Sequence, residues 1–294
     1  MSDSAAPAPA TIPLLHRTVP HAALRLGVIG TLAFLLIGFV SIAWTPYPVD
    51  RIDVTAHLLD PSLAHPLGTD QLGRDLVSML MKGTLTSFVV AAIGVGIGLA
   101  VGVQLGLCAA TLGGATDWLV LRLGDFILAI PALATASVLA VHFGPDALNA
   151  MLAVGLFSIP ASARITRRGM RILSRRDHVA AARLSGLSGW EAASRHILPA
   201  LASLLVAMTT MQMGFAVLAE AVLSYAGIGA PPTGASLGLM LRDAQSYLLF
   251  EPILVLAPGL VLTLISLSLH LAGDGLRRLL EPCLGEEMRD HAAA

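Results

Sequence analysis

The chain has 294 residues, of which 55% are hydrophobic and only 13% are charged, and its mean hydropathy is +0.78. A soluble domain carries about 25% charged residues, so this composition excludes a soluble globular protein and indicates an integral membrane protein. The formal net charge of −1 argues against a nucleic-acid partner, because such binding needs a basic patch and a high pI.

The N-terminal region combines a polar tail with a first apolar run. Residues 1–25 include Arg17 and Arg25 and are predicted to form a cytoplasmic tail. The apolar run 26–44 is longer than the ~7–15 residues of a signal-peptide core, and no small-residue cleavage site follows it. We therefore predict a retained first transmembrane helix.

Six apolar stretches are long enough to cross a bilayer, which takes about 17–25 residues. They are residues 26–44, 85–112, 118–142, 146–163, 199–228 and 252–273. The predicted fold is therefore all-α and polytopic, with six transmembrane helices and both termini on one side. The predicted organisation is the tail 1–25, the first helix 26–44, an outer segment 45–84, a five-helix core 85–273 with a loop 164–198, and a C-terminal tail 274–294.

The distribution of arginine predicts the orientation of these helices. Eight of the eighteen basic residues lie between Arg164 and Pro199. An Arg at the bilayer centre costs roughly 2.5–3.5 kcal/mol, so this stretch is a loop, and the positive-inside rule places it in the cytoplasm. The basic residues before the first span and after the last span fall on the same side. Both termini are thus predicted to be cytoplasmic, while residues 45–84 and 229–251 face outward.

The second span carries glycines at four-residue intervals. They are Gly94, Gly98, Gly102 and Gly106. Because positions i and i+4 share one helix face, these glycines form a smooth stripe that lets another membrane helix approach closely. We predict close packing against a helix of this subunit or of a partner.

The Arg-rich loop is predicted to contain two short helices separated by a glycine turn. Ser188 and Glu191 have the spacing of a capping box, which starts a helix that ends or kinks near Pro199. Upstream, residues 177–185 favour a helix, and Gly186 provides a natural stop. The spacing is equally typical of an ordinary connector between two spans.

Ionisable residues inside membrane spans are candidates for function. Arg122 and Asp125 share a helix face and are predicted to pair with each other. Glu220 has no neighbour in sequence to pair with, so it is the main candidate for a translocation-pathway residue, with Asp125 as the second. The alternative for Glu220 is a helix–helix hydrogen bond. No two histidines have the i, i+4 spacing of a helical metal pair, so no metal site is predicted.

Motifs for catalysis are weak in this sequence. Lys82 is the only lysine, and no phosphate-cradling glycines precede it, so the chain is predicted not to bind or hydrolyse ATP by a P-loop. The G-x-S-x-G match around Ser236 follows two prolines in an outward loop, where the strand–turn–helix elbow of a hydrolase is not expected. A G-x-S-G match at Ser188 lies in the cytoplasmic loop. We therefore predict that the chain is not an enzyme and binds no cofactor.

Residues 180–200, AAARLSGLSGWEAASRHILPA, resemble the EAA loop of ATP-binding cassette (ABC) importer permeases. Ala181 and Ala182 match the alanines of the pattern and Gly186 matches its glycine, whereas Ala180 replaces its glutamate. Four further segments are similar, in the same order, to permeases of the dipeptide, oligopeptide and nickel group: residues 65–83, 123–133, 218–232 and 273–282. Leu237 stands where that group usually has Trp.

The resemblance implies a type I ABC importer permease fold, with residues 85–273 as its transmembrane domain, and the shorter "C-type" member of a permease pair. It assigns ATPase coupling to His178, Val179, Ala180, Ala181, Ala182, Arg183, Leu184, Ser185, Gly186 and Leu187. The implied setting is a bacterial inner membrane and its lipid, and the implied cargo is a di- or oligopeptide or a related small solute, with nickel or a metal–chelator complex as the alternative. The implied partners are a homologous second permease, one or two ATP-binding subunits that use ATP and Mg²⁺, and an external substrate-binding protein.

A function of another class stays open at this point. An ion-coupled secondary transporter would also have many apolar spans, but it would carry inverted repeats with broken helices and several carboxylates at mid-membrane depth. Only Asp125 and Glu220 are carboxylates of that kind here.

Overall fold

The computed structural model of the chain describes residues 15–144, 146–174, 189–192, 197–229 and 235–290. In these residues the regular structure is helical, and no β-strand is formed. The helices are α1 (Leu15–Ala43), α2 (Leu76–Leu112), α3 (Gly114–Ala129), α4 (Ala132–Phe143), α5 (Ala147–Leu173), α6 (Gly189–Ala192), α7 (Leu198–Tyr225), α8 (Leu237–Ala244) and α9 (Ile253–Asp290), with short 3₁₀ helices at Val54–Ala56 and Gln245–Tyr247.

Five helices are long and apolar enough to cross a membrane: α1, α2, α5, α7 and α9. The pair α3 and α4 forms a sixth, broken span, bent by 81°. The predicted all-α polytopic fold with six crossings is therefore confirmed when the bent pair is counted as one span. The short helix α8 does not span.

The prediction of one continuous third span over residues 118–142 is wrong. Helix α3 ends at Ala129, and Ile130 adopts an extended backbone with ψ 127° before Pro131. A proline disfavours the helical conformation of the residue before it and cannot donate a backbone hydrogen bond, so the helix breaks here. The apolar composition continues through the break, which is why hydropathy alone does not reveal it.

Several helices extend beyond the predicted apolar runs. Helix α2 starts at Leu76 instead of residue 85, because the Asp75 carboxylate accepts hydrogen bonds from the backbone N–H and the hydroxyl of Ser78 at 2.8 Å and 2.7 Å. Helix α5 continues to Leu173, so the first third of the predicted loop 164–198 is helical. Helix α9 continues into the predicted C-terminal tail.

Helices α1 and α9 run antiparallel in close contact, which places the start of α1 and the end of α9 on the same side. A Cβ on Gly27 would lie 2.8 Å from the Cα of Ala272, and a Cβ on Gly275 would lie 2.8 Å from the Cα of Leu24. We call this side the proximal end of the bundle. The distal end is the opposite one, which carries residues 44–75 and helix α8.

The main apolar core lies where α2, α7, α8 and α9 meet. Its fully buried members include Leu76, Val217, Leu237 and Ile265. A second cluster at the proximal end joins α2, α5 and the start of α7. Many large apolar side chains on the outside, above all on α1, are exposed, as expected for helices that face lipid.

Candidate functional site

The glycine stripe of α2 lies directly against α5. Each stripe residue faces the residue sixty positions later in the chain: Gly94 faces Val154, Gly98 faces Ser158, Gly102 faces Ser162 and Gly106 faces Thr166. A Cβ on Gly102 would lie 2.6 Å from the Cβ of Ser162 and 2.7 Å from the carbonyl oxygen of Ile159. The constant offset shows that α2 and α5 run parallel, with their backbones nearly touching.

Glu220 is buried inside the bundle, with 1% of its surface exposed. Its carboxylate accepts hydrogen bonds from the hydroxyls of Ser87 on α2 and Ser224 on α7, each at 2.7 Å, and from Ser236 at the start of α8 at 2.9 Å. The serine of the G-x-S-x-G match is therefore engaged with a carboxylate as the N-cap residue of a short helix. Sequence reasoning missed Ser87 because it lies 133 residues away in the chain.

An apolar cavity of about 380 Å³ lies between α4, α5 and α7. Its walls include Leu133, Phe157, Phe215 and Leu223, and the amide oxygen of Gln212 is buried without a hydrogen-bond partner in the described part of the chain. The residues that line the cavity include neither Glu220 nor Asp125. The pathway role of these two carboxylates stays a prediction.

The predicted pairing of Arg122 with Asp125 is wrong. Asp125 pairs with Arg164 on α5, with 2.6 Å between Oδ1 and Nη2, while the guanidinium of Arg122 lies 5.9 Å from the ring centre of Trp118. Because α3 packs against α5, Arg164 can reach Asp125 across the helix interface. Arg122 instead lies over the ring one turn earlier in its own helix.

A more buried ion pair joins α3 to α5 at the proximal end. Asp117 accepts hydrogen bonds from Nε and Nη2 of Arg167 and from Nη2 of Arg171, the latter two at 2.7 Å. Only 15% of the Asp117 side chain is exposed, against 55% for Asp125. Two ion pairs of unequal burial therefore connect the first half of the broken span to α5.

A charged cluster forms at the distal end between residues 44–75 and α8. Asp70 and Arg74 are buried and pair with 2.7 Å between Oδ2 and Nη2. Asp243 on α8 lines the same small crevice. Burial raises the pKa of Asp243, and repulsion from Asp70 raises it further, while Arg74 and Arg242 act in the opposite direction. Ionisation of the Asp243 carboxyl group is therefore less favourable than ionisation of an Asp carboxyl group in water.

This environment predicts that Asp243→Asn stabilises the protein at pH 7.5. The pKa of an Asp carboxyl group in the unfolded chain is about 3.9. When folding raises this pKa, the protonated group stabilises the fold below about pH 3.9, and that stabilisation is lost as the pH rises through the pKa of the folded protein. The neutral amide avoids that loss. We expect the melting temperature to rise by no more than about 2 °C at pH 7.5, since Asp243 is only partly buried.

The gain should shrink toward zero as the pH falls to 4, measured by intrinsic fluorescence during heating. Asp53→Asn is the matched control, because the Thr55 hydroxyl lowers the pKa of Asp53 by donating a hydrogen bond to it. That variant should show no stabilisation at either pH. A pH-independent gain in Asp243→Asn would contradict the electrostatic explanation.

The predicted coupling residues His178–Leu187 and the predicted cap Ser188 lie outside the described residues. Of the neighbouring positions, Glu191 lies in α6, which begins at Gly189 and contacts α2. Pro199 is the second residue of α7, where its missing N–H would have no intrahelical partner. The described residues that follow the predicted coupling segment are therefore helical, in α6 and at the start of α7.

Similarity to a known protein family covers most of these helices. Residues 94–285 match the family described as binding-protein-dependent transport system inner membrane component. This range extends from the glycine stripe of α2 to the last helix. The chain belongs to this family. It is therefore a multi-pass inner-membrane permease, and the predicted resemblance to ABC importer permeases is confirmed.

Individual permeases are similar to this chain over most of its length. The glutathione transport system permease protein GsiD of Pectobacterium atrosepticum is 34% identical over 265 residues, covering 90% of this chain and 88% of its own. The dipeptide transport system permease protein DppC of Haemophilus influenzae is 36% identical, covering 88% and 91%. The probable D,D-dipeptide transport system permease protein DdpC of Escherichia coli is 35% identical, covering 80% and 79%.

Membership in this permease family decides between the functional classes that the sequence left open. The chain is a transport subunit and not an enzyme. The alternative of an ion-coupled secondary transporter is set aside, because the family consists of components of binding-protein-dependent transport systems and this membership accounts for the apolar spans.

Proposed function

We propose that this permease is the C-type subunit of an ABC importer that carries di- or oligopeptides, or a closely related solute, across the bacterial inner membrane. The observation that supports this cargo is the near full-length similarity to permeases named for dipeptides, D,D-dipeptides and glutathione. In this proposal a homologous second permease completes the membrane pore, and an external binding protein delivers the cargo. Nickel or a metal–chelator complex is the alternative cargo.

The energy would come from one or two separate ATP-binding subunits, which use ATP and Mg²⁺. The loop 178–187 would receive their motion on the cytoplasmic side, so the proximal end of the bundle and both termini would face the cytoplasm. The abundance of arginine at the end of α5 supports this orientation through the positive-inside rule. The distal end would then face the binding protein.

The cargo can be tested with the complete importer in proteoliposomes that contain its binding protein. We expect ATP-dependent uptake of a radiolabelled dipeptide, competed by unlabelled dipeptide. Uptake of ⁶³Ni²⁺ or of a metal chelate without uptake of any peptide would establish the alternative cargo. Uptake by the chain without any ATP-binding subunit would contradict the proposal as a whole.

The coupling role of the loop predicts a specific effect of Gly186→Val. A β-branched residue resists the left-handed conformation that the predicted turn requires. We expect the variant to insert and to assemble with its partners, but to transport at less than about a tenth of the wild-type rate per ATP hydrolysed, measured in the same proteoliposomes. Gly96→Val, on an open face of α2, is the control and should transport normally. Normal coupling in Gly186→Val would contradict the assigned role.

A further inference from the structure

The short helix α8 is seated in the distal end of the bundle although it does not span the membrane. Leu237 at its start is fully buried. A Cβ on Gly83 of α2 would lie 3.1 Å from the backbone nitrogen of Leu237, and a Cβ on Gly238 would lie 2.8 Å from the Cα of Ala221 on α7. The backbone of α8 therefore approaches two spanning helices closely.

We propose that Glu220 is a positioning residue that docks α8 onto the bundle through the hydroxyl of Ser236. The three hydrogen bonds to the carboxylate are not equivalent. Ser87 and Ser224 belong to the spanning helices α2 and α7, whereas Ser236 is the N-cap of α8. Among the described residues, only the bond from Ser236 joins the short helix to the buried carboxyl group.

This division of donors makes the docking contact releasable. A buried carboxyl group that lost all its hydrogen-bond donors would be strongly unfavourable, and buried polar groups persist only where they are hydrogen-bonded. When α8 leaves its seat, Glu220 still accepts bonds from Ser87 and Ser224, and the hydroxyl of Ser236 is free to bind water. Undocking therefore costs one hydrogen bond and does not leave the buried carboxyl group without a partner.

The other end of α8 is held in a different way. Asp243 faces the buried Asp70–Arg74 pair of the distal segment. The guanidinium of Arg242 packs against Gly227, whose φ of +81° favours glycine. These contacts are partly exposed to solvent, so Glu220 supplies the buried anchor of α8 and the charged cluster supplies a second, wetter contact.

The inference can be tested by hydrogen–deuterium exchange of the full-length chain, co-purified with its partner subunits in lipid nanodiscs. We expect Ser236→Ala to raise amide exchange in the peptide covering Leu237–Ala244 by about tenfold or more, because the anchor of α8 is lost. Ser87→Ala is the matched control. It removes a hydroxyl from the same carboxyl group on α2 and leaves α8 unchanged, and it should change the exchange of α8 by less than about twofold.

Substitutions of Glu220 distinguish a residue that holds α8 through a hydrogen bond from a residue that only fills space in the core. Glu220→Gln keeps an acceptor oxygen for Ser236 and should leave α8 largely protected, whereas the similarly shaped Glu220→Met removes every acceptor and should match Ser236→Ala. Unchanged exchange in Ser236→Ala would overturn the proposal. Equal increases in Ser236→Ala and Ser87→Ala, or equal exchange in the Gln and Met variants, would also overturn it.

The docking of α8 by Glu220 concerns contacts within the chain and does not depend on the proposed cargo. The exchange pattern itself requires no transport, so it can fail while dipeptide uptake is normal. Likewise, the pattern can hold in an importer whose cargo is nickel. The two tests therefore fail separately.

Discussion

Replacing Gly102 with alanine is expected to force α2 and α5 apart and to lower the melting temperature of the permease by about 2–12 °C. The added methyl carbon would lie 2.6 Å from the Cβ of Ser162 and 2.7 Å from a backbone carbonyl oxygen, and neither of these can turn away. Overpacking of this kind costs about 1–3 kcal/mol, and each kcal/mol shifts the melting temperature by about 2–4 °C in a domain of this size. Heating the purified protein in detergent while recording its intrinsic fluorescence measures the effect.

Gly96→Ala provides the matched control on the same helix. A Cβ at Gly96 meets no atom within 4 Å, so the substitution has only its effect on helix propensity. Since Ala is favoured over Gly inside a helix by about 1 kcal/mol, this variant should be as stable as the wild type or slightly more stable. Destabilisation of equal size in both variants would show that the glycines matter for the helix itself and not for its contact with α5.

The second large effect is expected for Asp117→Asn, which should destabilise the protein by about 2 kcal/mol. Removing one partner of a buried ion pair costs roughly 3–5 kcal/mol, because the other charge is left without compensation, and partial exposure reduces this figure. Here Arg167, with 20% of its side chain exposed, would lose its carboxylate partner. The loss should appear as a lower midpoint in chemical denaturation of the solubilised protein.

Asp125→Asn tests the same kind of pair in a more exposed setting. With 55% of Asp125 and 43% of Arg164 exposed, we expect a loss of about 1 kcal/mol or less, and salt should reduce it further. The ratio between the two variants is the informative quantity. Equal losses would mean that burial does not govern the strength with which α3 is attached to α5.

The helical spans could be predicted because each is an uninterrupted apolar run, and a bilayer leaves a backbone few alternatives to a helix. The ends of these helices could not be predicted from the apolar runs. The start of α2 depends on the cap at Asp75, and hydropathy does not register a cap. The break at Pro131 lies within a run of apolar residues, so a prediction from composition alone gives one continuous helix there.

The partners of charged side chains were the least predictable feature. Sequence spacing reveals neighbours one turn away, which favoured Arg122 for Asp125, whereas the actual partner Arg164 comes from another helix 39 residues later. The same limit applies to Glu220, which two serines reach from other elements. Its lack of a local partner did mark it as a residue whose contacts must be made between elements.

The parallel contact between α2 and α5 has a mechanical consequence. The two helices touch along four successive turns, and an α5 side chain lies on each glycine, so sliding would press these side chains against the larger residues that flank the glycines. Displacement of α5 at its proximal end, beside Leu173, must therefore carry α2 along with it. With 37 residues at about 1.5 Å each, α2 is a strut about 55 Å long. A push delivered at one face of the membrane would arrive at the other as movement of Asp75 and of the charged cluster beside it.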